Sequence, residues 1–160
     1  MKLKDKVVIV TASTRGIGLA VTESCAKEGA VVYMAARNLE RAEKEATRLN
    51  NAGFKVRCVY NDASVPESYA SMAEEVAKNE GRIDVLVNNF GTSNPKKDLD
   101  FIHTDISDFL EIITLNIRSV FMASQEAAKH MESHGGGSII NISSIGGLVP
   151  DISQIAYGTS

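Results

Sequence analysis

Val7-Val8-Ile9-Val10-Thr11-Ala12-Ser13-Thr14-Arg15-Gly16-Ile17-Gly18 is the stretch that sets the fold. Its β-branched start, Val7–Thr11, fits a short buried strand. A hydroxyl-rich turn with two glycines follows, and helical spacing then runs over residues 16–28. The same alternation repeats outward along the chain. Residues 30–35 form a second apolar, strand-like run. Leu39–Asn51 carries apolar and charged residues at helical spacing, and Asn51-Ala52-Gly53 is a stop signal. Lys55–Tyr60 alternates as a third strand, and Pro66 opens a helix that ends near Gly81. Residues 83–87 give a fourth strand. A long helical segment covers residues 107–132 and stops at Gly135-Gly136-Gly137. Residues 138–142 give a fifth strand. Short strands separated by helices require right-handed crossovers and a parallel sheet covered on both faces. The expected architecture is a doubly wound α/β domain over residues 1–160, with no internal linker, low-complexity tract or repeat.

Composition agrees with that reading and excludes several function classes. The 160 residues are 44% hydrophobic and 23% charged, with a formal net charge of −3. This is an ordinary globular balance, and a chain of this length buries roughly 70% of its unfolded surface. An acidic chain without Lys/Arg blocks is not expected to take nucleic acid or an anionic membrane as its main partner. No apolar run approaches the ~20 residues that span a bilayer. The apolar run that starts at Val7 is too brief for a signal peptide. Cys25 and Cys58 lack metal-ligand spacing and are too few for a disulfide framework. Two reduced thiols in a cytoplasmic fold are the expectation. His130 and His134 stand one turn apart at a helix end, but no carboxylate-rich third shell accompanies them. No metal site is expected there, and His103 reads as a loop residue.

The glycine turn carries the first chemistry. Unpaired N–H groups and the positive end of a helix attract phosphate. Glycine allows close backbone approach and positive φ without a Cβ clash. Gly16 and Gly18 are expected in this role, with Ile17 between them, and the Ser13 and Thr14 hydroxyls add donors. A turn that needs glycine only for packing is the plain alternative. No Gly-Lys-Ser/Thr follows, which disfavours a P-loop ATPase.

The end of the second strand bears on which dinucleotide is held. An acidic residue there would bond ribose hydroxyls and repel a 2′-phosphate. Here it reads Ala35-Ala36-Arg37-Asn38, with no carboxylate before Glu40. The Arg37 guanidinium suits a phosphate, and Arg15 could approach it from the other side. NADP(H) is therefore expected over NAD(H). A solvated surface charge is the alternative for Arg37 taken alone.

These motifs resemble those of the short-chain dehydrogenase/reductase family across all 160 residues, and the resemblance implies a Rossmann fold. The family's glycine turn reads Thr-Gly-x-x-x-Gly-x-Gly, and Ala12 stands where its first glycine belongs. Asp62-Ala63 resembles the pair that brackets the adenine. Asn88-Asn89-Phe90-Gly91 resembles Asn-Asn-Ala-Gly, with Phe90 a departure. The resemblance puts Asn89 and Gly91, together with Asn38, at the cofactor and has Asn88 tie strands together.

By the same resemblance Ser144, thirteen residues before Tyr157, and the helix-borne Asn116 form the catalytic set with Tyr157. Ketone reduction needs hydride on carbon and a proton on oxygen. A Tyr hydroxyl supplies that proton only if its pKa falls well below ~10. Ser144 would hold the substrate oxygen, and Asn116 would fix a water relay through a helical carbonyl left unpaired. Tyr157 would also touch the cofactor. The family pattern is Tyr-x-x-x-Lys, and the sequence runs Tyr157-Gly158-Thr159-Ser160, so the lysine would come next. The expectation is an incompletely represented enzyme, lacking the sixth and seventh strands and the substrate loop, and inactive as 160 residues.

The expected activity is that of an NADP(H)-linked carbonyl/alcohol oxidoreductase. By the same resemblance a bulky hydroxysteroid, as in bile acids, leads among substrates, with a β-ketoacyl thioester or a sugar as alternatives. A non-catalytic NADP-binding module is the competing class, but it has no need of Asn116, Ser144 and Tyr157 at these spacings. Gly146, Gly147, Pro150 and residues 94–98 are expected to line the substrate pocket. The long helix carries Phe109, Ile112, Ile113, Ile117, Val120, Phe121 and Met122, more apolar surface than one sheet face needs. In the family this helix packs against its copy, so a homodimer or homotetramer is expected.

Overall fold

A computed structural model describes residues 1–149 and 152–160. Its elements are β1 (Val7–Thr11), α1 (Gly16–Lys27), β2 (Val31–Ala36), α2 (Leu39–Asn51), β3 (Lys55–Tyr60), α3 (Glu67–Glu80), β4 (Val85–Asn88), α4 (Ile106–Glu132), β5 (Ser138–Asn141) and α5 (Ile155–Thr159). A 3-10 turn spans Ile145–Gly147. The five strands are parallel in the order β3-β2-β1-β4-β5. The chain thus leaves β1 toward one edge, then returns to its other side at β4. Ligands of such sheets bind at that reversal, beyond the carboxyl ends of the strands.

β1 shows why the opening run folds as it does. All five residues are buried, as a central strand covered on both faces requires. Val7 and Ile9 face a core shared with Tyr69, Met72 and Val76 of α3 and with Ala123, Ala127 and Met131 of α4. Val8 and Val10 face the opposite core, with Ala26 of α1 and Ala46 and Leu49 of α2. The period of two along the strand sorts one apolar run into both layers. Helix ends follow local chemistry: Asn38 Oδ1 accepts from Arg41 N at 2.8 Å to cap α2. Gly81, at φ +75, closes α3.

Every expected helix and strand is present, with ends shifted by one or two residues. β4 starts at Val85 instead of residue 83, although Asp84 N still donates to Val7 O and Asp84 O accepts from Ser138 N, both at 2.9 Å. The buried Asp84 carboxylate accepts from Val7 N at 2.9 Å and pairs with Lys6 and Arg82. α5 and the 3-10 turn were not expected, since pieces this short carry no periodicity. β5 lies at a sheet edge with all four residues exposed. Pro150, expected at the substrate pocket, lies outside the described residues. Among the described residues no helix is long and apolar enough to cross a membrane.

Candidate functional site

A cleft of about 480 Å³ opens beyond the carboxyl ends of β1, β2 and β4. Its walls include Thr14, Arg15, Arg37, Asn38, Asp62, Ala63 and Gly91 from the expected set. Arg41 joins them and was not foreseen. It stands four residues after Arg37, in the first turn of α2, a spacing that could have been read. Among the described residues none of these three arginines is in an ion pair, so the cleft presents free positive charge. Asp62 balances part of it: bonds from the Ser64 hydroxyl and N–H, with the Arg37 charge, hold its carboxyl below the ordinary range.

The turn after β1 is built for close approach at one glycine and for packing at the other. Gly16 has φ +54, and no atom lies within 4 Å of where its Cβ would stand. α1 starts there without a side-chain cap or an acidic first turn, which leaves its leading N–H groups open to an anion. Gly18, expected at the phosphates, serves packing as well. A Cβ there would meet Asn89 Nδ2 at 2.6 Å and Ala12 O at 2.7 Å, so its bareness serves contact between α1 and the turn after β4. Ser13 departs from its expected role. It is fully buried, off the cleft wall, and its Oγ has no partner. Ile17 is exposed and also off that wall. Ala12 adopts φ +51, in the left-handed region where the family pattern has glycine. A side chain there costs roughly 1–2 kcal/mol, which is the physical meaning of that departure.

Asn89 acts on the turn more than on the cleft. Its Nδ2 donates to Thr11 O and Ala12 O, both at 3.2 Å. The Thr11 hydroxyl accepts from Asn89 N at 2.9 Å and Phe90 N at 3.1 Å, a tie the sequence did not disclose. Asn88 bonds Asn141 Oδ1 at 2.9 Å and Ser124 Oγ at 3.0 Å, joining β4 to β5 and α4. Phe90 lines the cleft, and nothing in the structure explains its ring.

Ser144 and the Tyr157 ring both border Gly146 of the 3-10 turn. A Cβ on Gly146 would lie 3.4 Å from Ser144 Oγ and 3.9 Å from the Tyr157 ring. The other edge of that ring stands 3.9 Å from the same construction on Gly91, at the cleft wall. Ser144 Oγ accepts from Gly146 N at 3.1 Å, which fixes its rotamer at the start of the turn. Asn116 is buried within α4. α4 runs through it unbroken. Its Oδ1 accepts from Thr92 N at 2.9 Å, and its Nδ2 donates to Thr92 O at 3.0 Å and Ser160 Oγ at 2.8 Å. It pins the loop after β4 to α4 and to the end of α5.

Other candidates carry less. Burial pushes the Cys58 thiol up to about 11, with Glu43 adding to the effect, and burial also raises Cys25. Such thiols are poor nucleophiles at neutral pH. His134 Nδ1 is taken up by Ser133 Oγ and His130 O at the end of α4. Among the described residues no group of three or more His, Cys, Asp or Glu could hold a metal.

A family model described as short chain dehydrogenase matches residues 6–160. The 7alpha-hydroxysteroid dehydrogenase of Clostridium sardiniense is 49% identical over 159 residues, covering 99% of this chain and 61% of that protein. The enzyme of the same name from Paraclostridium sordellii is 46% identical over 159 residues, covering 99% and 60%. The chain thus spans about three fifths of the length of these curated relatives. Among solved structures, a short chain dehydrogenase from Mycobacterium smegmatis superposes with a TM-score of 0.91 at 27% identity, covering 99% of this chain and 66% of that one.

Proposed function

The chain belongs to the short-chain dehydrogenase family, and from that premise we propose that the complete protein moves a hydride between NADP(H) and a secondary alcohol or ketone, with a 7α-hydroxysteroid as substrate. A nicotinamide cofactor follows from the family. The choice of NADP(H) is carried by Arg15 and Arg37, both lining the cleft, with no carboxylate at the end of β2. Two cations facing a 2′-phosphate form charge-assisted bonds, worth ~1.5–3 kcal/mol each. Arg41 adds a third positive charge to the cleft lining. Thr14, the first N–H groups of α1 and Gly16 would hold the bridging phosphates, and Asp62-Ala63 the adenine.

When bound, the reduced dinucleotide supplies the hydride. Tyr157 Oη would pass a proton to the nascent alkoxide, and Ser144 Oγ would donate a hydrogen bond that holds the substrate oxygen. Asn116 keeps the wall at Thr92 in place beside them. The steroid reading is supported by the names of the two relatives above. It is tested by initial rates of NADPH oxidation with a 7-oxo bile acid and with a β-ketoacyl thioester. The steroid should react with at least about tenfold higher kcat/KM, a difference of ~1.4 kcal/mol in transition-state binding. A preference for the thioester would overturn the assignment.

Assembly through α4 belongs to the same proposal. Ile106, Leu110, Ile117 and Phe121 are exposed along one side of this helix, Ile117 at 52% and Phe121 at 62%. Ile112 and Met122 instead pack inward. A self-complementary stripe fits a two-fold contact between copies. The complete protein should sediment as a dimer or tetramer at micromolar concentration, and Phe121→Arg should split it. A monomeric unaltered protein would end the idea. A cytoplasmic setting accords with the two unpaired thiols.

A further inference from the structure

The first N–H groups of a helix have no partner within it and are normally met by the residue just before. α5, which bears Tyr157, lacks such a cap. Gln154 precedes it in the left-handed region at φ +57 and makes no side-chain cap bond. The partner comes from far away in sequence. Asp98 is fully buried, and its Oδ1 accepts from Ala156 N at 2.8 Å while its Oδ2 accepts from Tyr157 N at 3.0 Å. Both carboxylate oxygens are thus spent on two consecutive N–H groups, one of them Tyr157's own.

The surrounding loop adds to the grip. Leu99 O accepts from Ile155 N at 3.2 Å, and Ser93 Oγ lies 2.8 Å from Gln154 Oε1. Asp98 is itself held by the bond from its N–H to Asn94 O at 2.7 Å. The loop after β4 also supplies Gly91 and Thr92 to the cleft wall. One segment therefore shapes that wall and fixes the backbone that carries the phenol.

We infer that Asp98 is a positioning residue: its carboxylate sets where Tyr157 stands relative to Ser144 and the cleft. The inference rests on the reading of Tyr157 as the proton-transfer group. An ionised carboxylate accepts N–H bonds more strongly than a neutral oxygen and is acceptor-only, so both of its oxygens can face donors. Asparagine at this position keeps one acceptor and turns an NH2 group toward the other N–H. The phenol then loses its fixed place, and a displacement on the order of 1 Å costs about a hundredfold in rate.

The test compares Asp98→Asn with Tyr157→Phe in the complete protein. Asp98→Asn should lower kcat by about ten- to a hundredfold while KM for the cofactor stays within about twofold, because the arginine wall is untouched. A general loss of structure would instead raise cofactor KM together with the fall in kcat, and that result would overturn the inference. Asp98→Asn at full rate beside an inactive Tyr157→Phe would overturn it while leaving the functional reading intact. Tyr157→Phe at full rate would remove that reading and this inference with it. Amide exchange in the unaltered protein decides the matter if Asp98→Asn does not fold. The Ala156 and Tyr157 amides should exchange slower than free peptide by on the order of a hundredfold or more. Exchange at the free rate would show that no carboxylate holds them.

Discussion

Replacing Tyr157 by Phe in the complete protein is expected to lower the rate of oxidoreduction by roughly 10²–10⁴-fold, the span general acid–base groups contribute. Cofactor affinity should change little, because the phenol hydroxyl is proposed to act in proton transfer while the cations of the cleft do the binding. The ring itself is retained, so its packing between Gly91 and Gly146 persists. Ser144→Ala should be nearly as severe through loss of oxygen positioning. The two measurements needed are single-turnover rates and a cofactor titration for each variant. A Tyr157→Phe protein that keeps more than a tenth of the rate would mean that another group supplies the proton.

Arg37→Asp should reverse the cofactor preference. The unaltered wall offers Arg15, Arg37 and Arg41 to a phosphate. The substitution removes one cation and places a carboxylate at the end of β2, where it can accept from ribose hydroxyls and repel a 2′-phosphate. Loss of one charge-assisted bond, at ~1.5–3 kcal/mol, is worth about ten- to a hundredfold in kcat/KM for the phosphorylated cofactor. The new repulsion widens the gap, while use of NAD(H) should rise. Ratios of kcat/KM for the two cofactors, measured for both proteins, check this. An unchanged ratio would show that Arg37 is a solvated surface charge.

The sheet was legible because β1 is buried on both faces, so its β-branched run could not be mistaken for a surface strand. The glycine turn was legible in kind but not in division of labour. Gly16 faces open space, whereas Gly18 is bare for the sake of Asn89, a contact made across 71 positions of sequence. Ser13 reads as a phosphate donor by residue type, yet burial removes it from the cleft wall. Arg41 was within reach, since it follows Arg37 by four residues in the first turn of α2. Asp98 was not. Its partners lie 58 and 59 residues away, and one of three aspartates in a polar loop carries no local sign of burial. Long-range hydrogen bonds of this kind arise only once the loop after β4 folds back on α5.

This cleft is proposed to serve hydride transfer with a phosphorylated dinucleotide. The most direct test of that proposal is the rate at which the complete, unaltered protein reduces a ketone with NADPH and with NADH. The account predicts turnover with both and a kcat/KM for NADPH higher by at least about tenfold, the effect of one charge-assisted bond of ~1.5 kcal/mol. Equal efficiency would contradict the role given to Arg15 and Arg37, and hydride transfer with neither cofactor would contradict the account as a whole.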